Sequence, residues 1–238
     1  MSWNVEVQGG TSVRLPTAGK YCDRDIVVTA MGSVTEPDPR EHYQRVEYIT
    51  SEEGAYFLTD FIADNTCGME LIASFPVLQD RVPMGSRLDA NATRFYCAYP
   101  MSANSFYFGF NTGSAISVKP TVDTVYRLQT NFFDSRLVNI FDMNGIRKGG
   151  TSISQTLAQQ ACPVAIFGYL RADTAVVSSF RAYSLYSARC SRGHEVVREY
   201  IPCYRKSDGV IGLFEKYTGT FLTNQGNGTL TKGADVEW

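Results

Sequence analysis

The chain reads as an all-β protein built from two antiparallel sheets packed face to face. Three observations predict this. Strand-like runs recur at short intervals from His42 to the end, separated by Gly, Asn, Asp and Pro. Aromatic residues are in excess, with 14 Tyr, 14 Phe and 2 Trp, and Tyr and Phe favour half-buried pleated surfaces. Only SISQTLAQQA (152–161) has a helix-like composition, and it is short. A two-sheet sandwich is the economical architecture for that pattern, with a barrel as the alternative.

At 238 residues with 44% hydrophobic and 19% charged residues, the chain has ample material for a core. The formal net charge of −2 and the lack of any basic run argue against nucleic-acid binding, which needs clustered Lys and Arg. The opening MSWNVEVQGG has neither the basic start nor the apolar stretch of a secretory signal. No segment offers the roughly 20 apolar residues that span a bilayer. Synthesis in a cytoplasm, without general secretion or membrane insertion, is therefore expected. The six cysteines (Cys22, Cys67, Cys97, Cys162, Cys190 and Cys203) are widely spaced, unlike a zinc site. They are read as free and mostly buried.

Along the chain, residues 1–31 form a small unit of their own. WNVEV, TSVRLP and DIVVTA alternate or run apolar around turn-rich breaks. Such a unit is too small to be stable without a partner, which suggests attachment, and an N-terminal extension of the main sheet fits the pattern equally well. GSVTEPDPRE (32–41) reads as a linker, because Pro37 and Pro39 remove two backbone donors. The main domain then spans 42–238. Its runs include MELIASFPV (69–77), a hairpin of RFYCAYP (94–100) and SFYFGFN (105–111), TVYRLQTNFF (124–133), RLVNIFDMNG (136–145) and PVAIFGYLR (163–171). In SFYFGFN, Phe106, Phe108 and Phe110 share one face, expected to be core, and Tyr107 and Gly109 the other. Asn144-Gly145 suits a tight reversal.

The last sixty residues carry a resemblance. AYSLYSA (182–188), VVREYIPC (196–203), GLFEKYTGTFLTN (212–224) and GNGTLTKG (226–233) follow the order and spacing of "IYSFKIYD", "LVRDFIPV", "GLYDLVTGKFYTN" and "GTGTFTKG". That series is similar to the C-terminus of phage-encoded concanavalin A-like, laminin-G-like jelly-roll domains. VEYITSEEGAYFLTDF (46–61) resembles the same domains' opening, more divergently. GGTSVRLPTAGKYCDRDIVVTA (9–30) looks like a recurring element of phage virion proteins. The resemblance implies a jelly-roll sandwich on a virion, as tail fibre, baseplate component or capsid-decorating protein. It implies other phage structural proteins as partners, a homotrimer by the usual symmetry of projecting appendages, and contact with a host-surface glycan. Within the motifs, Pro202 is expected to end its strand, and Gly219 to supply the positive φ of a tight turn.

Chemistry is sparse. Cys190 and His194 are the nearest thing to a nucleophile and base, but they are read as a surface turn without an orienting acid. The fold that the resemblance implies also hosts glycoside hydrolases, whose two carboxyls sit about 5–10 Å apart across the sugar. Here Glu52-Glu53, Asp60 with Asp64, and Glu195 with Glu199 do not provide three acids at spacing two along a strand, so no catalytic residue is assigned. The resemblance to laminin-G-like domains also implies a calcium ion held by loop oxygens, for which Asp60, Asp64, Asn65, Asp89, Asn91 and Asp142 are available, although no EF-hand-like spacing exists and ordinary turn chemistry explains these residues without a metal. No cofactor is otherwise called for. Tyr96, Tyr99 and Tyr107, on the face of the hairpin opposite the phenylalanines, are the candidate ligand-binding residues, with edge or subunit packing as the plainer reading.

Overall fold

A computed structural model describes residues 38–52, 54–89, 93–178 and 182–238. The expected N-terminal unit (1–31) and most of the expected linker lie outside the described residues. Asp38 caps a single helical turn, Pro39–His42 (α1), by accepting from Arg40 N at 2.9 Å. That turn is fastened to the domain, since Lys206 Nζ donates to Arg40 O and Lys206 N to His42 O.

Strands follow in close succession. The first five are β1 (Tyr43–Arg45), β2 (Ile49–Ser51), β3 (Phe57–Leu58), β4 (Cys67–Ser74) and β5 (Met84–Arg87). The long hairpin β6 (Arg94–Ser102) and β7 (Ser105–Ile116) lies where the two aromatic runs predict it. Next come β8 (Val125–Thr130), β9 (Leu137–Asp142) and β10 (Arg147–Ser152), then β11 (Ala165–Ile166), β12 (Gly168–Arg171) and β13 (Val176–Ser178). The C-terminal motifs become β14 (Ser184–Arg192), β15 (Glu195–Arg205), β16 (Ile211–Glu215), β17 (Phe221–Thr223) and β18 (Leu230–Lys232).

These strands form two sheets of a jelly-roll sandwich. The larger, of eleven strands, runs β10-β9-β8-β4-β14-β15-β16-β17, with β1 on β15 and β2 between β14 and β18. The smaller, of seven, runs β13-β12-β5-β11-β3, with β6 on β5 and β7 on β6. Pairing is antiparallel except where β12 lies parallel to β5. Alternation along each strand aims one set of side chains between the sheets. Met69, Leu71, Leu128, Ile140, Leu185 and Leu213 come from the larger sheet, and Met84, Phe95, Phe106 and Phe110 from the smaller; each is at most 1% exposed. Burying one such side chain stabilises the fold by roughly 1.5–3 kcal/mol.

Several local expectations give way to packing. SISQTLAQQA forms no helix, because its residues are pinned one by one to neighbouring elements. Arg136 Nη2 donates to Gln155 O, Leu157 N to Asn65 Oδ1, and Gln160 N to Ala63 O, while Ile153 and Leu157 are buried. Phe132 and Phe133 do not extend β8. They form a 3-10 turn, Phe132–Asp134, entered through Asn131 at φ 49°. PVAIFGYLR is two strands, split at Phe167, whose φ is 70°.

Pro202 does not end its strand; β15 runs on to Arg205. On one flank β14 pairs only as far as Tyr200, and β1 takes over from Cys203. Pro202 sits at that changeover, where no ladder donor is required. Gly219 turns the β16–β17 hairpin at φ 70°, and Gly145 the β9–β10 hairpin at φ 78°.

The two ends of the domain meet. β18 pairs with β2 (Lys232 opposite Ile49), Val46 bridges Asp235, and Trp238 Nε1 donates to Tyr43 O at 3.3 Å.

Candidate functional site

The outer face of the smaller sheet carries a cluster of tyrosines. It begins with Gly85 on β5, which lies directly opposite Tyr96 on β6 and, on its other side, opposite Tyr169 on β12. Because Gly85 has no side chain, the Tyr96 ring lies over it; a Cβ there would stand 2.6 Å from Tyr96 Cδ1. Gly109, opposite Tyr96 on β7, leaves the same room on the far side, with a built Cβ 3.0 Å from Tyr96 Cδ2. Between these glycines the Tyr96 ring reaches Tyr169 at a centroid distance of 5.0 Å. Tyr99 and Tyr107 follow along the hairpin, with centroids 5.8 Å apart.

All three tyrosines read from the sequence therefore share one face, with Val82 and Met101 beside them. Their exposure differs. Tyr96 and Tyr99 are 4% and 1% exposed, so they form the floor and offer no open ring. Tyr107 and Tyr169 are half-buried and reach solvent. Tyr99 Oη donates to Asp80 Oδ1 at 2.7 Å, and Arg94 Nη1 donates to Tyr107 Oη at 2.7 Å. Burial, then the neighbouring Tyr169 phenol, push the Tyr96 hydroxyl well above its ordinary range. It stays neutral in the folded domain. A floor of packed rings under two half-exposed rings, bordered by an arginine and an acid, suits a flat partly apolar ligand.

The sequence does not single out Tyr169. Its strand reads as one continuous run, and the left-handed residue Phe167 resets the alternation within it. A second row on this face was also missed. Arg87 on β5 stands directly opposite Arg171 on β12 and Arg94 on β6, two residues along each strand from the row of Tyr169, Gly85 and Tyr96.

The other candidates disperse. Cys190 is not in a turn; it lies inside β14, 0% exposed, facing the core, while His194 is exposed beyond the strand end. Burial pushes the Cys190 thiol well up. Cys67, Cys97, Cys162, Cys190 and Cys203 are all free and buried; Cys22 lies outside the described residues. Asp60 is held by Arg198 (2.6 Å), whose hydrogen bond keeps the carboxyl below its ordinary value. Glu199 pairs with Lys216 at 3.0 Å.

Asp64 accepts from Thr66, Asn65 Oδ1 from Arg136 and Leu157, and Asp142 from Asn144 and Ile146. These calcium candidates thus serve as turn anchors. Asn91 lies outside the described residues, among which no three acid, His or Cys side chains gather as a metal site. Among those residues, too, no helix is long and apolar enough to cross a membrane.

No protein-family model matches the chain, and no curated protein matches it. Among solved structures, it is similar to a proposed carbohydrate binding protein from Bacteroides ovatus, with a TM-score of 0.51 and 11% sequence identity. The match covers 81% of this chain but 62% of that one, so the chain spans less than two thirds of its structural neighbour. At that identity the likeness is one of fold, and the fold is the β-sandwich described above.

Proposed function

We propose that this protein is a non-catalytic glycan-binding module carried on a phage particle. The observation that supports binding is the tyrosine face of the smaller sheet, where half-exposed Tyr107 and Tyr169 lie on a floor of Tyr99 and Tyr96. Aromatic rings of this kind stack on the apolar faces of sugars, and the bordering Arg94 and Asp80 meet hydroxyl groups. The fold neighbour's proposed carbohydrate binding agrees with this reading. The acids on this face favour binding over hydrolysis, since Asp80 is tied to Tyr99 and Asp173 to Arg171.

Virion placement rests on the sequence resemblances of residues 9–30 and of the C-terminal motifs. The domain would project from the particle as part of a homotrimer, its weak sites multiplied by avidity. Attachment through residues 1–31 belongs to the same reading, as does synthesis in the bacterial host cytoplasm.

The test is a glycan array probed with the purified full chain, compared with Tyr169→Ala and Tyr107→Ala. Binding lost in both variants supports the reading. Binding that survives both, or turnover abolished by one carboxylate substitution, overturns it and favours a glycan hydrolase on this fold. Mass spectrometry of purified virions tests placement: absence of the chain removes the phage role. A decoration protein with no ligand would be present there and silent on the array.

A further inference from the structure

The arginine row has a chemistry of its own. Arg87 stands between Arg171 and Arg94 across three adjacent strands. Like charges directly opposite on a sheet destabilise it. An arrangement that sets three guanidinium groups abreast beside a half-open aromatic surface therefore needs an offsetting reason. At one end the repulsion is met from within: Arg171 pairs with Asp173 at 2.7 Å, and Asp89 also bears on it.

The other end differs. Among the described residues, Arg94 makes a side-chain hydrogen bond to a neutral group, the Tyr107 phenol oxygen, at 2.7 Å. Accepting that bond leaves the Tyr107 hydroxyl proton free to be donated outward. The phenol is held in place because it sits over Gly113, where a built Cβ would stand 1.7 Å from Tyr107 Oη. Arg94 and Tyr107 together thus present donors, and Arg87 adds positive charge next to them. A donor-rich, positively charged corner beside stacked rings calls for a ligand that carries acceptors and negative charge on a sugar-like frame. Guanidinium groups bind carboxylate, sulfate and phosphate oxygens in pairs, which neutral hydroxyls match poorly.

We infer that the tyrosine face binds an anionic glycan, its acid group received by Arg94 and Tyr107 with Arg87 alongside and its ring stacked on Tyr169. This rests on the glycan-binding reading and narrows it to acidic sugars.

The test uses the full chain and isothermal titration with three probes of equal length: an oligogalacturonide, its full methyl ester, and a sulfated heparin oligosaccharide. Expected is binding to one or both charged probes, weakened at least roughly tenfold by methyl esterification, by Arg94→Gln or by raising the salt concentration. Preference between carboxylate and sulfate identifies the acid group. Arg94→Lys, which keeps the charge but lacks the fork, is expected to recover only part of the affinity.

Urea unfolding of each variant separates lost binding from lost fold. If the methyl ester binds as well as the acid and Tyr169→Ala abolishes both, the face binds neutral glycans, and only the present inference fails. If none of the three probes binds, the inference fails, and the neutral glycans of the array then decide the broader reading.

Discussion

Glu70, only 2% exposed, accepts from Gln129 Nε2 with one carboxylate oxygen and from Arg189 with the other. The three residues come from neighbouring strands of the larger sheet. They stand in a polar row that continues to Asn139 beside Gln129 and to Glu199 beside Arg189. A buried carboxylate between two donors stabilises modestly while intact, and removing one partner costs far more. Glu70→Ala is expected to lower stability by about 2–4 kcal/mol, because it strands the Arg189 guanidinium and the Gln129 amide. The double variant with Arg189→Leu should cost less than the two single changes added together, and urea denaturation of the four proteins measures this.

The tyrosine floor depends on a missing side chain. Gly85→Val places a Cβ 2.5 Å from Phe95 O and 2.6 Å from Tyr96 Cδ1, so the ring or the strand must move. Overpacking of this kind costs about 1–3 kcal/mol. The expected result is a lower urea midpoint together with a changed near-ultraviolet circular dichroism band from the displaced tyrosines.

Asn131 is the corner on which the strand β8 turns. It is 0% exposed in a left-handed conformation; Nδ2 donates to Cys67 O at 3.0 Å and Oδ1 accepts from Arg136 N at 2.9 Å. Asn131→Ala removes both bonds and leaves an alanine at positive φ, for an expected loss of about 2–4 kcal/mol. Asn131→Gly relieves only the backbone strain, so its loss should be smaller by roughly 1 kcal/mol. Thermal melts of the pair discriminate the two contributions.

Burial raises the thiols of Cys97, Cys190 and Cys203, the last to about 12. In the unfolded chain these groups ionise near the ordinary value of 9.0. The folded form then binds more protons, so its stability is full below pH 9 and falls as the pH rises towards 12. Urea midpoints between pH 8 and 11 should show that decline, and Cys203→Ala should flatten it. At pH 8 the same thiols should resist iodoacetamide until the domain unfolds.

Much of this architecture was legible because alternation reports burial directly. The SFYFGFN hairpin separates Phe106, Phe108 and Phe110 from Tyr107 by pleat alone. What escaped had no local signature. Phe167 adopts left-handed backbone against its own propensity, and although asparagine tolerates that conformation, nothing local to Asn131 singles it out from the other asparagines. The same limit applies to the face beyond the core. Tyr96 and Tyr99 were readable as outward-pointing, but their burial also comes from Val82 and Tyr169, which lie outside their own hairpin. The arginine row is the extreme case, because Arg171 joins Arg87 and Arg94 only through a parallel pairing between strands some eighty residues apart.

The meeting of Tyr43 with Trp238, and of β2 with β18, has a consequence for biosynthesis. Translation delivers β18 after the other strands of the domain, so the nascent domain holds β2 without that partner until Leu230–Lys232 have emerged. Pairing across such a separation makes for slow, late and all-or-none completion. The same closeness of entry and exit lets the sandwich be spliced into a loop of a host protein, or circularly permuted, with little distortion at the seam.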